Sequence, residues 1–98
     1  MRYTFAKKNI LQLFTDRKGA NKYPAPVVDA FFRAVAVIDG AKDERDLYAL
    51  KSLRYEKLKG KRQKQRSVRL NDQFRLIVQV EEDPEGKYFL IVDIEDYH

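Results

Sequence analysis

Ser67-Val68-Arg69-Leu70-Asn71-Asp72-Gln73-Phe74-Arg75-Leu76-Ile77-Val78-Gln79-Val80 is the stretch in which the apolar period of the chain becomes two. Val68 and Leu70 alternate with Ser67 and Arg69, and Phe74, Leu76, Val78 and Val80 alternate with Gln73, Arg75, Ile77 and Gln79. Such alternation marks strands with one face buried and the other turned to water. The apolar face also selects the register. A two-residue turn at Asn71-Asp72 sets Leu70 against Gln73 and Val68 against Arg75, mixing the faces. A three-residue loop, Asn71 to Gln73, sets Leu70 against Phe74 and Val68 against Leu76, and Arg69 then lies directly across from Arg75. Like charges opposite one another on a sheet repel. An anion between the two arginines relieves that repulsion, and so does splaying of the side chains into water; the residues alone leave both open.

Outward from this pair, Asp83-Pro84 and Gly86 punctuate Glu81 to Gly86 as a turn, and Tyr88 to Ile94 reads as a last strand. Toward the N-terminus the period is helical. Ile10, Leu13 and Phe14, with Leu11 alongside, predict a helix from about Lys7 to Asp16, with Gly19 as its stop. Val27, Val28, Phe31, Phe32, Val35 and Ile38 form one stripe of a second helix, Pro24 to Asp39. Pro24 and Pro26 suit its first turn and Gly40 its C-terminal cap. Leu47, Leu50 and Leu53 suggest a short helix or turn within Asp43 to Leu53, and Arg2 to Phe5 alternates as a short strand. The expectation is an α+β fold: an N-terminal strand and two helices packed on a small antiparallel β-sheet, the C-terminal meander. Neither the helical stripe nor the sheet face hides its apolar surface alone.

Ninety-eight residues predict one domain, 1–98. A hydrophobic content of 44% sets the chain apart from disordered sequences. Without cysteine, and with His98 as the one histidine, disulfides, thiolate metal sites and histidine-rich metal clusters are excluded. No apolar run approaches the roughly 20 residues that cross a bilayer, and Met1 to Asp16 does not read as a signal peptide. The expected location is therefore cytoplasmic, with no membrane contact. Charge is unevenly spread. From Lys51 to Arg69 nine Lys or Arg residues face one acid, Glu56, whereas from Glu81 to His98 seven acids face Lys87 alone. The basic stretch is either a solvated loop or a surface that draws in a polyanion, and the acidic end leaves room for a basic partner.

Three blocks carry a resemblance. Leu58-Lys59-Gly60-Lys61-Arg62 resembles the LKGDR segment of HigB-type toxins of the RelE/ParE superfamily. Ser67 to Leu76 resembles their SIRINDQWRI strand pair, and Glu95-Asp96-Tyr97-His98 their terminal EDYH or VDYH. Order and spacing are kept, so the resemblance covers essentially the whole chain and is specific over residues 58–98. It implies a RelE-like fold and an endoribonuclease acting on messenger RNA in the ribosomal A site. It also implies an antitoxin of the HigA type with a helix-turn-helix domain, through which operator DNA is bound indirectly. Asp93, Glu95 and Asp96 offer oxygen ligands, but Asp93 and Asp96 project differently in a strand and no glycine-bearing calcium loop is present, so the expected enzyme is metal-independent and without cofactor.

By resemblance, Lys59 and Arg75 are the basic residues associated with RNA phosphate and catalysis. Arg69 matches the arginine of one branch, and Asp96, Tyr97 and His98 the functional C-terminal trio. The chain departs from the pattern where Glu56-Lys57 stands in place of a His-Pro found in some relatives, Lys61 in place of aspartate and Phe74 in place of tryptophan. The identity of the base is left open between Asp96, His98 and, as a substitute, Glu56.

Cleavage of RNA by its own 2′-hydroxyl needs a base, cations for the charge growing on phosphorus and an acid for the departing 5′-oxygen. Arginine suits the second role because its planar fork grips phosphate oxygens in pairs. Arg75 is the first candidate and Arg69 the second, with Lys59 and Arg62 positioning the RNA backbone. Tyr97 is a candidate base-stacking or phosphate-orienting group. Two other readings share these features: a ParE-like toxin that poisons DNA gyrase on the same fold, and a non-catalytic RNA- or ribosome-binding module that uses only the basic stretch.

Overall fold

The computed structural model describes residues 1–97 and has the expected α+β architecture. Strand β1 (Tyr3–Phe5) is followed by helices α1 (Lys8–Asp16), α2 (Ala25–Gly40) and α3 (Glu44–Ala49). Strands β2 (Glu56–Lys57), β3 (Gln65–Arg69), β4 (Phe74–Asp83) and β5 (Gly86–Asp96) then complete the fold. The five strands form one sheet in the order β1-β5-β4-β3-β2. The C-terminal meander is antiparallel as expected, whereas β1 pairs parallel to β5 and makes the sheet mixed.

The register deduced from the apolar face is the one observed: Val68 pairs with Leu76 and Arg69 with Arg75. The Asn71 side chain fixes the loop between them. Its Oδ1 accepts from the backbone N–H of Gln73 at 2.8 Å and of Phe74 at 2.6 Å, the self-capping that makes Asn a turn residue. Val68, Leu76, Val78, Phe89, Ile91 and Ile94 turn inward against Ile10 and Leu13 of α1 and Val27, Phe31, Val35 and Ile38 of α2.

Strand β5 holds this face only through a bulge. Ile77 pairs with Asp93 and Val78 with Ile91, so Val92 is an extra residue. Strict alternation from Phe89 and Ile91 would drive Asp93 and Glu95 into the core. The extra residue instead turns Ile94 inward and sends Asp93 and Glu95 to the opposite face.

The second helix extends through Gly40, and Ala41 rather than Gly40 caps it. The reason is at the chain start, where the Met1 ammonium donates to the carbonyls of Ile38, Asp39 and Ala41. A cation at the end of a helix satisfies carbonyls that would otherwise need a left-handed glycine. Helix α3 is shorter than the segment foreseen and is followed by a single 3-10 turn, Lys51–Leu53. Asp43 caps α3 by accepting from the Arg45 N–H at 2.8 Å.

Glu44 ties α3 to the sheet. Its Oε1 accepts from the Tyr55 hydroxyl at 2.8 Å and from Arg66 Nε at 2.7 Å. Burial, together with the hydrogen bond to Glu44, pushes the Tyr55 phenol far above its ordinary pKa of 10.0. The folded state therefore favours the neutral phenol. Stability from this group is complete below about pH 10 and is lost as the pH rises above that value, where the unfolded chain ionises first. Urea titrations across that range should show wild type losing stability more steeply than Tyr55→Phe, which at neutral pH is weaker by about 1 kcal/mol. Parallel curves for the two proteins would show that Tyr55 is not so held.

Candidate functional site

The face of the sheet opposite the helices carries the charge. Counting across strands, Arg69, Arg75 and Glu95 make one row, and Ser67, Ile77 and Asp93 the next, with Glu56 of β2 beside Ser67. The two arginines foreseen to oppose each other do so, and each has an acid at hand. Arg69 is paired with Asp72 of its own loop. Arg75 Nη2 lies 3.3 Å from Glu56 Oε1, and Arg75 Nη1 donates to the Arg54 carbonyl at 3.3 Å. The Arg75 side chain is 16% exposed and that of Glu56 57%, so the guanidinium is held from below and its acid opens to solvent.

Tyr97 extends the sheet past β5, its N–H donating to the Gln73 carbonyl. Its ring centroid lies 5.9 Å from Arg75 Cζ, within cation–π range. Arg62 arrives from the loop between β2 and β3. It grips Glu95 with two hydrogen bonds, 3.0 and 2.7 Å, while its Nε donates to Gln65 at 2.8 Å. The bonds to Glu95 raise the Arg62 pKa above its usual value, and the cation is fixed at every accessible pH.

The structure thus gathers Arg69, Arg75, Glu56 and Tyr97, with Arg62 at the margin. Lys59 is exposed and sits at the head of a 3-10 turn, Gly60–Arg62. Asp96 pairs with Phe74, and alternation puts it on the other side of the strand from Glu95. It accepts from Gln73 Nε2 at 3.1 Å. His98 lies outside the described residues. Glu95, opposite Arg75 and bound to Arg62, was not singled out by sequence reasoning. Its side of the strand follows from the pairing of Ile94 with Leu76, which the bulge at Val92 sets and no local pattern announces. Among the described residues no three His, Asp or Glu side chains gather as a metal-ligand group, and no helix is long and apolar enough to cross a membrane.

A five-stranded mixed sheet with helices on one face and cations on the other defines a RelE-like toxin fold. The YoeB/ParE toxin from Agrobacterium tumefaciens superposes with a TM-score of 0.62 over the whole of both chains, at 14% identity. Sequence narrows the class. Residues 3–98 match the family described as RelE-like toxin of type II toxin-antitoxin system HigB. Toxin HigB-1 of Vibrio cholerae serotype O1 (strain ATCC 39315 / El Tor Inaba N16961) is 34% identical over 79 residues, 81% of this chain and 83% of that protein. The chain belongs to the HigB-like toxin family, and so to type II toxin–antitoxin systems, in which an antitoxin is the partner.

Proposed function

We propose that this toxin is a metal-independent endoribonuclease that cuts messenger RNA on the ribosome and so stops translation in the cytoplasm. The observation that carries the reading is Arg75. It is a guanidinium fixed by a backbone carbonyl, with a second arginine across the strand and a carboxylate and an aromatic ring beside it. Arg75 and Arg69 receive the scissile phosphate and the charge that builds on it. Glu56 is the base for the 2′-hydroxyl, being the carboxylate next to Arg75 and open to solvent. His98 supplies the proton to the departing 5′-oxygen, and Asp96, turned to the other side of the strand, acts through its bond from Gln73 rather than on the substrate. Tyr97 stacks on a splayed base, Lys59 draws in the RNA backbone, and Arg62, its fork taken by Glu95, serves through the loop it holds. An antitoxin of the HigA type, with a helix-turn-helix domain, neutralises the toxin and brings it to operator DNA.

Primer extension on a defined message, in a cell-free translation reaction with and without ribosomes, tests this. Discrete cuts that need ribosomes, persist with chelator and disappear when His98 is deleted are the expected result. Intact message with arrested DNA supercoiling would move the toxin to the gyrase-poisoning branch of its superfamily. Tight, salt-sensitive RNA binding with no cutting would make it a binding module.

A further inference from the structure

Two residues that strand alternation turns toward water, Ser67 and Ile77, are both 0% exposed. Ile77 stands apart from the helix-side core cluster, and the Ser67 hydroxyl has no hydrogen-bond partner among the described residues. Something on the charged face covers them. For Ile77 the pairings point to what it is. Gln65 lies on β3, two residues before Ser67 on the same face, and pairs with Gln79. Glu95 lies on β5, two residues after Asp93. A line from Gln65 to Glu95 crosses the Ser67–Ile77–Asp93 row at its middle, at Ile77. The Arg62 guanidinium bonds both ends of that line, so it lies across Ile77 and holds its own loop against the sheet.

We infer that Glu95 is a positioning residue for substrate, acting through Arg62 as a strap on the basic loop. The loop carries Lys59, Lys61 and Lys64, and its chain leaves β2 directly after Glu56-Lys57 and returns at Gln65. Three lysines on an untethered loop lose much of their attraction for a polyanion to conformational freedom. Tied down beside the Arg69–Arg75 row, they form a fixed extension of it, along which a single-stranded phosphate backbone runs. The fork is bidentate and partly shielded, with side-chain exposures of 41% for Arg62 and 32% for Glu95. It is the geometry in which Arg cannot be exchanged for Lys without loss. Glu95 touches neither substrate nor reacting atoms in this role; it sets where the cations stand.

The inference rests on the ribonuclease reading, and the experiment separates the two. Glu95→Gln, Arg62→Lys and the exchanged pair Arg62→Glu/Glu95→Arg are compared with wild type in three measurements. These are amide hydrogen exchange over residues 58–64, affinity for a single-stranded RNA oligonucleotide at two salt concentrations, and kcat and KM for message cleavage on ribosomes. Both single variants should exchange faster in the loop and bind RNA about tenfold more weakly, with a shallower salt dependence. The loss in cleavage falls on KM rather than kcat, and the exchanged pair recovers loop protection and affinity. Unchanged exchange in Glu95→Gln overturns the strap. Faster exchange with unaltered affinity overturns its role toward RNA, and a loss confined to kcat makes Glu95 a catalytic group instead. If wild type binds RNA and cuts none, the nuclease reading fails while the affinity comparison still decides the strap.

Discussion

Arg75→Ala should remove message cleavage almost entirely, lowering the single-turnover rate by about 10²–10³-fold, while the toxin remains folded. The size follows from what the side chain does. Its charge is preorganised by the Arg54 carbonyl and Glu56, so it meets the developing phosphorane without reorientation. A cation in a partly shielded setting, at 16% exposure, is worth more to that charge than one in bulk water. The cost to the fold is small because the groups left behind are tolerant ones. Glu56 is more than half exposed, and a carbonyl beside a vacated surface site takes water. Removing Arg75 also ends the repulsion from Arg69 across the strand. Arg75→Lys keeps the charge and loses the fork, so its rate should fall between the two, about tenfold below wild type. Single-turnover cleavage on ribosome-bound message and a thermal melt decide the matter together. Cleavage within a few-fold of wild type in Arg75→Ala would remove this residue from the site.

The parts of this face that were legible in the sequence are those fixed by local alternation. Val68, Leu70, Phe74 and Leu76 allow one register that keeps apolar residues together, and that register alone puts Arg69 opposite Arg75. The rest depends on contacts between distant parts of the chain. Strand β2 is Glu56-Lys57 alone, too short to have a period, and it is a strand because Ser67 and Arg66 offer it an edge. The bulge at Val92 falls in Phe89-Leu90-Ile91-Val92, where four apolar residues in a row give no phase and no glycine marks the break. Without it, the face taken by Asp93, Glu95 and Asp96 is undetermined: the resemblance brings Asp96 to the site but no periodicity places its side chain, and nothing local ties Glu95 to Arg75. Arg62 meets Glu95 across 33 positions of sequence, and a charge run cannot reveal which of its members is paired. Likewise β1 joins β5 in parallel, a pairing that no turn signal announces.

The largest effect on stability should come from the layer behind this face. Phe31 sits in the middle of α2 with 0% exposure. Its ring is edge-on to Phe14 of α1 at 6.5 Å and to Phe32 at 5.4 Å. Truncation removes one of the two rings of α2 that meet Phe14, and neither helix can close the gap, since each is also held to the sheet by its own residues: Ile10 and Leu13 in α1, Val27, Val35 and Ile38 in α2. A cavity that cannot collapse puts Phe31→Ala at the costly end, about 3–5 kcal/mol. Against a total of about 5–15 kcal/mol for a domain of this kind, most of the margin is lost. The melting temperature should fall by more than about 12 °C, taking the lower cost and about 4 °C per kcal/mol. Phe31→Leu keeps most of the volume and should lose about 1 kcal/mol. The site lies on the far side of the sheet and takes no atom from α2. Phe31→Ala molecules that remain folded in the cold should therefore cut message at the wild-type rate, with the deficit appearing only as the fraction folded declines on warming. A cold cleavage rate that falls with the substitution, while circular dichroism shows the chain fully folded, would mean that helix packing and the arginine face are coupled through the sheet.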